Sequence, residues 1–99
     1  MSEIGSILQT LYELTDERAK QPVTGSYTNY LLDKGEDRIL AKTLEQCTGM
    51  ILACKNADNR RIAEEGADLL YHMTVLLYQH GLTWDEIAAV LEDRREHGA

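Results

Sequence analysis

Glu65, Asp68 and His72 stand three and four residues apart, a spacing that puts them on one line of a helix. Carboxylates on such a stripe either hold a hard cation through oxygen ligands or are solvated surface. Glu64 precedes them, and directly after them the chain turns greasy: Leu69, Leu70, Tyr71, Met73, Val75, Leu76, Leu77 and Tyr78. A helix that is apolar on almost every side is buried on more than one face. The acidic stripe therefore begins a helix that the rest of the chain must surround. His72, alone beside that apolar face, reads as a hydrogen-bonded structural residue rather than a ligand.

The elements that position this stripe follow from periodicity and breakers. Ile4, Ile7, Leu8, Leu11 and Leu14 recur at helical spacing, which predicts a first helix from Ser2, as N-cap, to Lys20, ended by Pro22. Val23–Ser26 reads as a loop. Tyr27–Asp33 predicts a short helix capped by Ser26 and stopped by Gly35. The polar groups of Thr24, Ser26, Tyr27, Thr28 and Asn29 serve either turn chemistry or a ligand. From Glu36 to Lys55, Leu40, Leu44, Cys47, Ile51 and Cys54 alternate steps of four and three, a heptad stripe that predicts a bundle seam. Gly49 interrupts that helix at a cost of about 1 kcal/mol relative to alanine.

Asp58 caps the central helix, which ends near His80–Gly81. Thr83 and Glu86 form a capping box for a last helix with Ile87, Val90 and Leu91 on its apolar face. Its charged end from Glu92 onward is expected to fray. Counted without the short turn at 27–33, this is an all-α chain of four helices, a single domain over residues 1–99 that forms a helical bundle. The central helix has more apolar surface than so few neighbours can cover. A second copy of the chain is expected against it, with Leu69, Leu70, Met73, Leu76 and Leu77 buried.

Composition narrows the function classes. The chain has 99 residues and a formal net charge of −7, which argues against a nucleic-acid backbone or an anionic membrane as partner. A phosphorylated small molecule stays possible, because a bound divalent cation inverts the local charge. No apolar run is long enough to span a bilayer. The N-terminus lacks the pattern of a signal peptide. Cys47 and Cys54 lie two helical turns apart, about 10 Å, too far for a disulfide, and are expected as free core thiols in a reducing cytoplasm.

Gly25-Ser26-Tyr27-Thr28, Asp37-Arg38-Ile39-Leu40 followed by Lys42, Ala53-Cys54-Lys55-Asn56, Glu64-Glu65-Gly66-Ala67-Asp68-Leu69-Leu70-Tyr71-His72 and Gly81-Leu82-Thr83-Trp84 run through the chain in this order. Together they resemble the phosphoribosyl-ATP pyrophosphatase family of histidine biosynthesis, in the MazG-type all-α superfamily. The resemblance implies an enzyme that hydrolyses phosphoribosyl-ATP to phosphoribosyl-AMP and pyrophosphate, in keeping with the cytoplasmic location and homodimer expected above. It implies Mg2+ as cofactor, held by a Glu-Glu-x-x-Glu on one helix and a Glu-x-x-Asp on the next. Glu65 and Asp68 match the second motif. In the first, Glu45 is retained, but Gln46 and Gly49 stand where acids are expected, and Leu44 where glycine is usual. The implied metal ligands are thus Glu45, Gln46, Glu65 and Asp68, with Glu45, Glu65 and Asp68 as the catalytic acids. Ser26, Tyr27, Thr28, Lys42 and Lys55 are the implied substrate contacts. Two missing acids imply weakened activity. The alternative is a non-catalytic, nucleotide-binding or structural dimer of the same fold. Arg38, Arg60 and Arg61 read as surface charge.

Overall fold

The computed structural model describes residues 2–98, with side chains from residue 3. Five helices follow one another: α1 Ser2–Lys20, α2 Tyr27–Lys34, α3 Glu36–Lys55, α4 Asn59–Gln79 and α5 Trp84–Glu96. The expected count of four left out the short helix expected at 27–33; with that helix, Tyr27–Lys34, the count among the described residues is five. Its N-terminus is capped as the sequence implies, the Asn29 amide donating to Ser26 Oγ at 3.2 Å. The expected cap of α1 by the Ser2 side chain lies outside the described residues.

Gly35 closes α2 and opens α3 at once. Its amide donates to Leu31 O at 3.0 Å, and its backbone sits at φ 90°, ψ −179°, a conformation that essentially only glycine adopts. α4 is capped by Asp58, whose Oδ1 accepts from the Arg61 amide at 3.2 Å. At the head of α5 the Glu86 carboxylate accepts from the Thr83 amide at 2.9 Å, one half of the expected capping box. α5 continues to Glu96. There the Arg95 guanidinium pairs with Glu92 at 2.6 Å, and the His97 amide closes the helix on Asp93 O at 3.1 Å.

α4 is the axis of the fold. α3 folds back beside it as an antiparallel hairpin, with Ile39 and Val75 in one buried cluster with Leu31 and Gly49 and Glu65 in contact nearer the turn. Leu32, Tyr71 and Leu76 pack around that cluster. Each fully buried large aliphatic side chain contributes roughly 1.5–3 kcal/mol. Three such residues make a small core, so directional bonds matter. Tyr78 of α4 donates to Asp16 of α1 at 2.9 Å. The Trp84 indole of α5 donates to the fully buried Thr74 hydroxyl at 3.0 Å. That hydroxyl in turn donates to Leu70 O at 2.8 Å. Hydrogen bonds from Lys20 and Tyr78 hold the Asp16 carboxyl below its ordinary range.

The heptad seam of α3 faces the other way from expectation. Ile39 and Ala53 are buried, whereas Leu40, Leu44 and Ile51 are 48%, 69% and 61% exposed. One residue is a turn of 100° about a helix, and α3 meets α4 along the Ile39, Gly49, Met50 and Ala53 side. A heptad stripe says which residues need cover; within one chain no helix covers them. Cys47 is half-buried and Cys54 exposed, both free, so the expectation of two core thiols fails for Cys54, which shares that outer face.

The α3–α4 turn carries the one left-handed non-glycine residue among those described, Ala57 at φ 55°. Asp58 N donates to Ala53 O and Ala57 N to Cys54 O, each at 3.0 Å, which is the Schellman arrangement with Ala57 where glycine is preferred. Replacing Ala57 by Gly relieves the Cβ strain at the cost of a freer unfolded chain. Ala57→Gly is expected to raise the unfolding free energy by about 0.5–1 kcal/mol, measured by urea denaturation.

Candidate functional site

The acidic stripe of α4 lies against the middle of α3, and the contact is made through a missing side chain. A Cβ at Gly49 would sit 2.5 Å from Glu65 Cδ and Oε2 and 2.7 Å from Oε1. The Glu65 carboxylate therefore occupies the space that any side chain at 49 would need. It is only 15% exposed, and the Arg61 guanidinium donates to it at 2.9 Å. One turn before Gly49 on α3, Gln46 Oε1 is buried without a hydrogen-bond partner. Asp68, one turn beyond Glu65, is exposed. Glu45 is 64% exposed and pairs with Lys42 of its own helix at 3.7 Å, and Lys55 is exposed at the end of α3.

Among the described residues no three His, Cys, Asp or Glu side chains gather closely enough to hold a metal ion. The oxygens on offer at this contact are the part-buried Glu65 carboxylate and the unpartnered Gln46 amide oxygen, with exposed Asp68 one turn further along α4. A buried carbonyl oxygen with no donor is costly, and a cation satisfies it. So small a set of protein oxygens would suit a hard cation that keeps waters and takes phosphate oxygens from a ligand better than one needing an all-protein cage.

The second half of the site is the turn into α2. Thr28 is buried, and its Oγ1 lies 2.5 Å from the Tyr71 hydroxyl. Tyr27 OH is 3.0 Å from His72 Nε2. His72 Nδ1 lies 2.8 Å from Asp68 O, a carbonyl that only accepts, so Nδ1 carries the proton and Nε2 accepts from Tyr27. His72 is thus the structural residue that its apolar neighbours imply, and it ties the Asp68 turn to α2. Burial, with Tyr71 and Tyr30 nearby, pushes the Tyr27 hydroxyl above the usual phenol range, so it stays a donor. Asn29 braces the loop, accepting from Val23 N at 2.8 Å and donating to Arg18 O at 2.9 Å. Beside these bonds opens a cavity of about 580 Å³ walled by the 22–27 loop, Tyr30 and Asp33. Tyr27 and Tyr30 stack on one side of it, ring centroids 5.8 Å apart.

The family model described as Phosphoribosyl-ATP pyrophosphohydrolase matches residues 8–95. The chain belongs to this family. It is 48% identical over 89 residues to a phosphoribosyl-ATP pyrophosphatase of Streptococcus gordonii, covering 90% of this chain and 86% of that one. It is 43% identical to one of Bacillus mycoides over 89% of this chain and 82% of that one. A further relative, 44% identical over 86% of this chain and 38% of its own length, is a histidine biosynthesis bifunctional protein of Prochlorococcus marinus.

Membership in the family gives the acids of α3 and α4 their context. Four side chains implied by resemblance sit where structure already occupies them: Ser26 as a cap, Thr28 on Tyr71, Tyr27 on His72, Glu45 on Lys42. Arg61, expected as plain surface charge, is bonded to Glu65; the four-residue spacing of the two was the signal. Tyr71 reads in the sequence only as part of the apolar face of α4, because its partner Thr28 lies 43 residues away. Thr28→Val removes the partner of the Tyr71 hydroxyl without changing shape. It should cost about 1–2 kcal/mol, a fall of roughly 4–8 °C in melting temperature per kcal/mol at this size, read by calorimetry.

Proposed function

We propose that this chain hydrolyses phosphoribosyl-ATP to phosphoribosyl-AMP and pyrophosphate, as a magnesium-dependent enzyme of histidine biosynthesis in the cytoplasm. Family membership along residues 8–95 carries this reading. Relatives named phosphoribosyl-ATP pyrophosphatase align over most of their own length, which speaks against the non-catalytic alternative.

Glu65, Asp68 and the orphaned oxygen of Gln46 are the groups that would hold magnesium, with Glu45 beside them. The ion, when bound, would neutralise phosphate charge and lower the pKa of a bound water. Lys42 and Lys55 offer positive charge to the phosphates from α3. Ser26 and Tyr27 wall the cavity beside α2, whose volume suits a small-molecule ligand. Tyr27 and His72 would act by positioning, since their bonds fix the backbone turn that bears Asp68. Thr28 would support the same wall from behind through Tyr71.

The active form we propose is a homodimer. Leu40, Leu44, Ile51 and Leu52 form an apolar face on α3, between 48% and 69% exposed. A second apolar groove, of about 840 Å³, runs between α1 and α5 past Ile4, Leu8, Leu70, Trp84 and Ile87. Patches of this kind mark association sites, and Leu69, Leu70, Met73 and Leu76 of α4 remain only half-buried in one chain. Net charge of −7 leaves nucleic acid and anionic membrane as poor partners, and no helix among the described residues is long and apolar enough to cross a membrane.

Incubation with phosphoribosyl-ATP and magnesium should release pyrophosphate, and EDTA should abolish the release. Gln46→Glu with Gly49→Glu should raise the rate at least about 10-fold, by comparison with the 10–100-fold effects of even outer ligands. A Cβ at 49 obliges the Glu65 carboxylate to shift; no gain in rate would mean that positions 46 and 49 do not face the ion. For the dimer, sedimentation at micromolar concentration should give twice the chain mass of 11.2 kDa, and Leu44→Lys with Ile51→Lys should return the monomer.

A further inference from the structure

We propose that Arg61 is a positioning residue that latches the Glu65 carboxylate into the notch at Gly49 until a cation and a polyphosphate draw the pair apart. This rests on the magnesium reading above. Two observations carry it, and each concerns a different helix.

The first is the seat. Glu65 lies closer to α3 than any residue with a Cβ at 49 would permit, 2.5 Å from where that atom would be. The second is the lock. Arg61 Nη2 donates to Glu65 Oε2 at 2.9 Å, with the acid side chain 15% exposed and the arginine side chain 58% exposed. The pair is therefore lopsided. The carboxylate has lost most of its water and needs a counter-charge. The guanidinium keeps half its surface in solvent and can leave at little cost.

A guanidinium is charged at every accessible pH. It engages one of the two carboxylate oxygens, Oε2, and places a positive charge beside the carboxylate that a cation would need. Metal binding to the free chain works against this pair. Once released, Arg61 stands on the first turn of α4 beside the incoming phosphates, which a guanidinium binds through paired N–H donors. Release of Glu65 and capture of phosphate by Arg61 then favour each other, so metal and polyphosphate bind with positive, reciprocal coupling. An aspartate or glutamate at 49 would push the Glu65 carboxylate out of the notch. The glycine is in this reading a component of the switch and more than a lost ligand.

The test is titration calorimetry with Mg2+ alone, then with Mg2+ in the presence of inorganic pyrophosphate. The proteins are the parent chain, Arg61→Gln, Arg61→Lys, Gly49→Ala and the Arg61→Gln/Gly49→Ala double variant. Melting curves without metal check that each is folded. Without pyrophosphate, Arg61→Gln is expected to bind Mg2+ about three- to fivefold more tightly than the parent, the release of one modest ion pair. Gly49→Ala should shift in the same direction. The double variant should gain no more than the larger single change, because both break one device. Arg61→Lys keeps the charge and should stay near the parent. Pyrophosphate should tighten Mg2+ binding to the parent more than to Arg61→Gln. Equal Mg2+ affinity in the parent, Arg61→Gln and Gly49→Ala would overturn the latch and leave the magnesium reading standing. No binding of Mg2+ to any of the five proteins, with or without pyrophosphate, would overturn both.

Discussion

Every other helix is fastened to α4 by polar side chains, and the fold depends on that set of bonds. Tyr78 reaches α1, Tyr71 and His72 reach α2, and Thr74 accepts from Trp84 of α5. His80, just past the end of α4, meets Glu36 at the head of α3. Among the described residues the central core holds three fully buried large aliphatics, too few to fix orientation by shape alone. Hydrogen bonds are directional and contribute about 0.5–1.5 kcal/mol each. Several of them along one helix select a single arrangement among the many that a loose apolar contact would tolerate. The buried donors and acceptors would cost more unpaired than they contribute paired, so a wrong arrangement is penalised several times over.

Much of this was legible before the structure. Pro22, Ser26, Gly35, Asp58, Gly81 and Thr83 are breakers and caps, and the helix bounds fall beside them. The apolar richness of 69–78 pointed to α4 as the centre. What could not be read was the face that α3 turns toward it. Periodicity identifies Leu40, Leu44 and Ile51 as one stripe, but α3 meets α4 where a glycine on each helix admits a side chain from the other, Glu65 at Gly49 and Met50 at Gly66. The site was legible in its acids and illegible in their partners. Local pairs such as Arg61–Glu65 follow from helical spacing. Pairs such as Thr28–Tyr71 and Tyr27–His72 join residues whose proximity is a product of the fold.

The chemistry of the site turns on a deficit of charge. With Gln46 and Gly49 on α3, the acids that face the α3–α4 contact come from α4 alone, and one of these is neutralised by its own helix. On the proposed magnesium reading, such a site would hold a hard cation weakly without further ligands, and a substrate bringing several phosphate oxygens would supply them. Metal occupancy would then depend on the substrate.

Gly35 has a consequence of another kind. Its backbone conformation is closed to other residues, yet a Cβ there would meet nothing within 4 Å. The penalty for replacing it is therefore carried by the main chain alone. In an ordinary packed position, a harmful substitution can be rescued by trimming the neighbour it collides with. Here there is no neighbour to trim. Genetic suppressors of a Gly35 change could act only by raising the stability of the whole chain, so this open, unpacked joint between α2 and α3 is evolutionarily isolated from its surroundings.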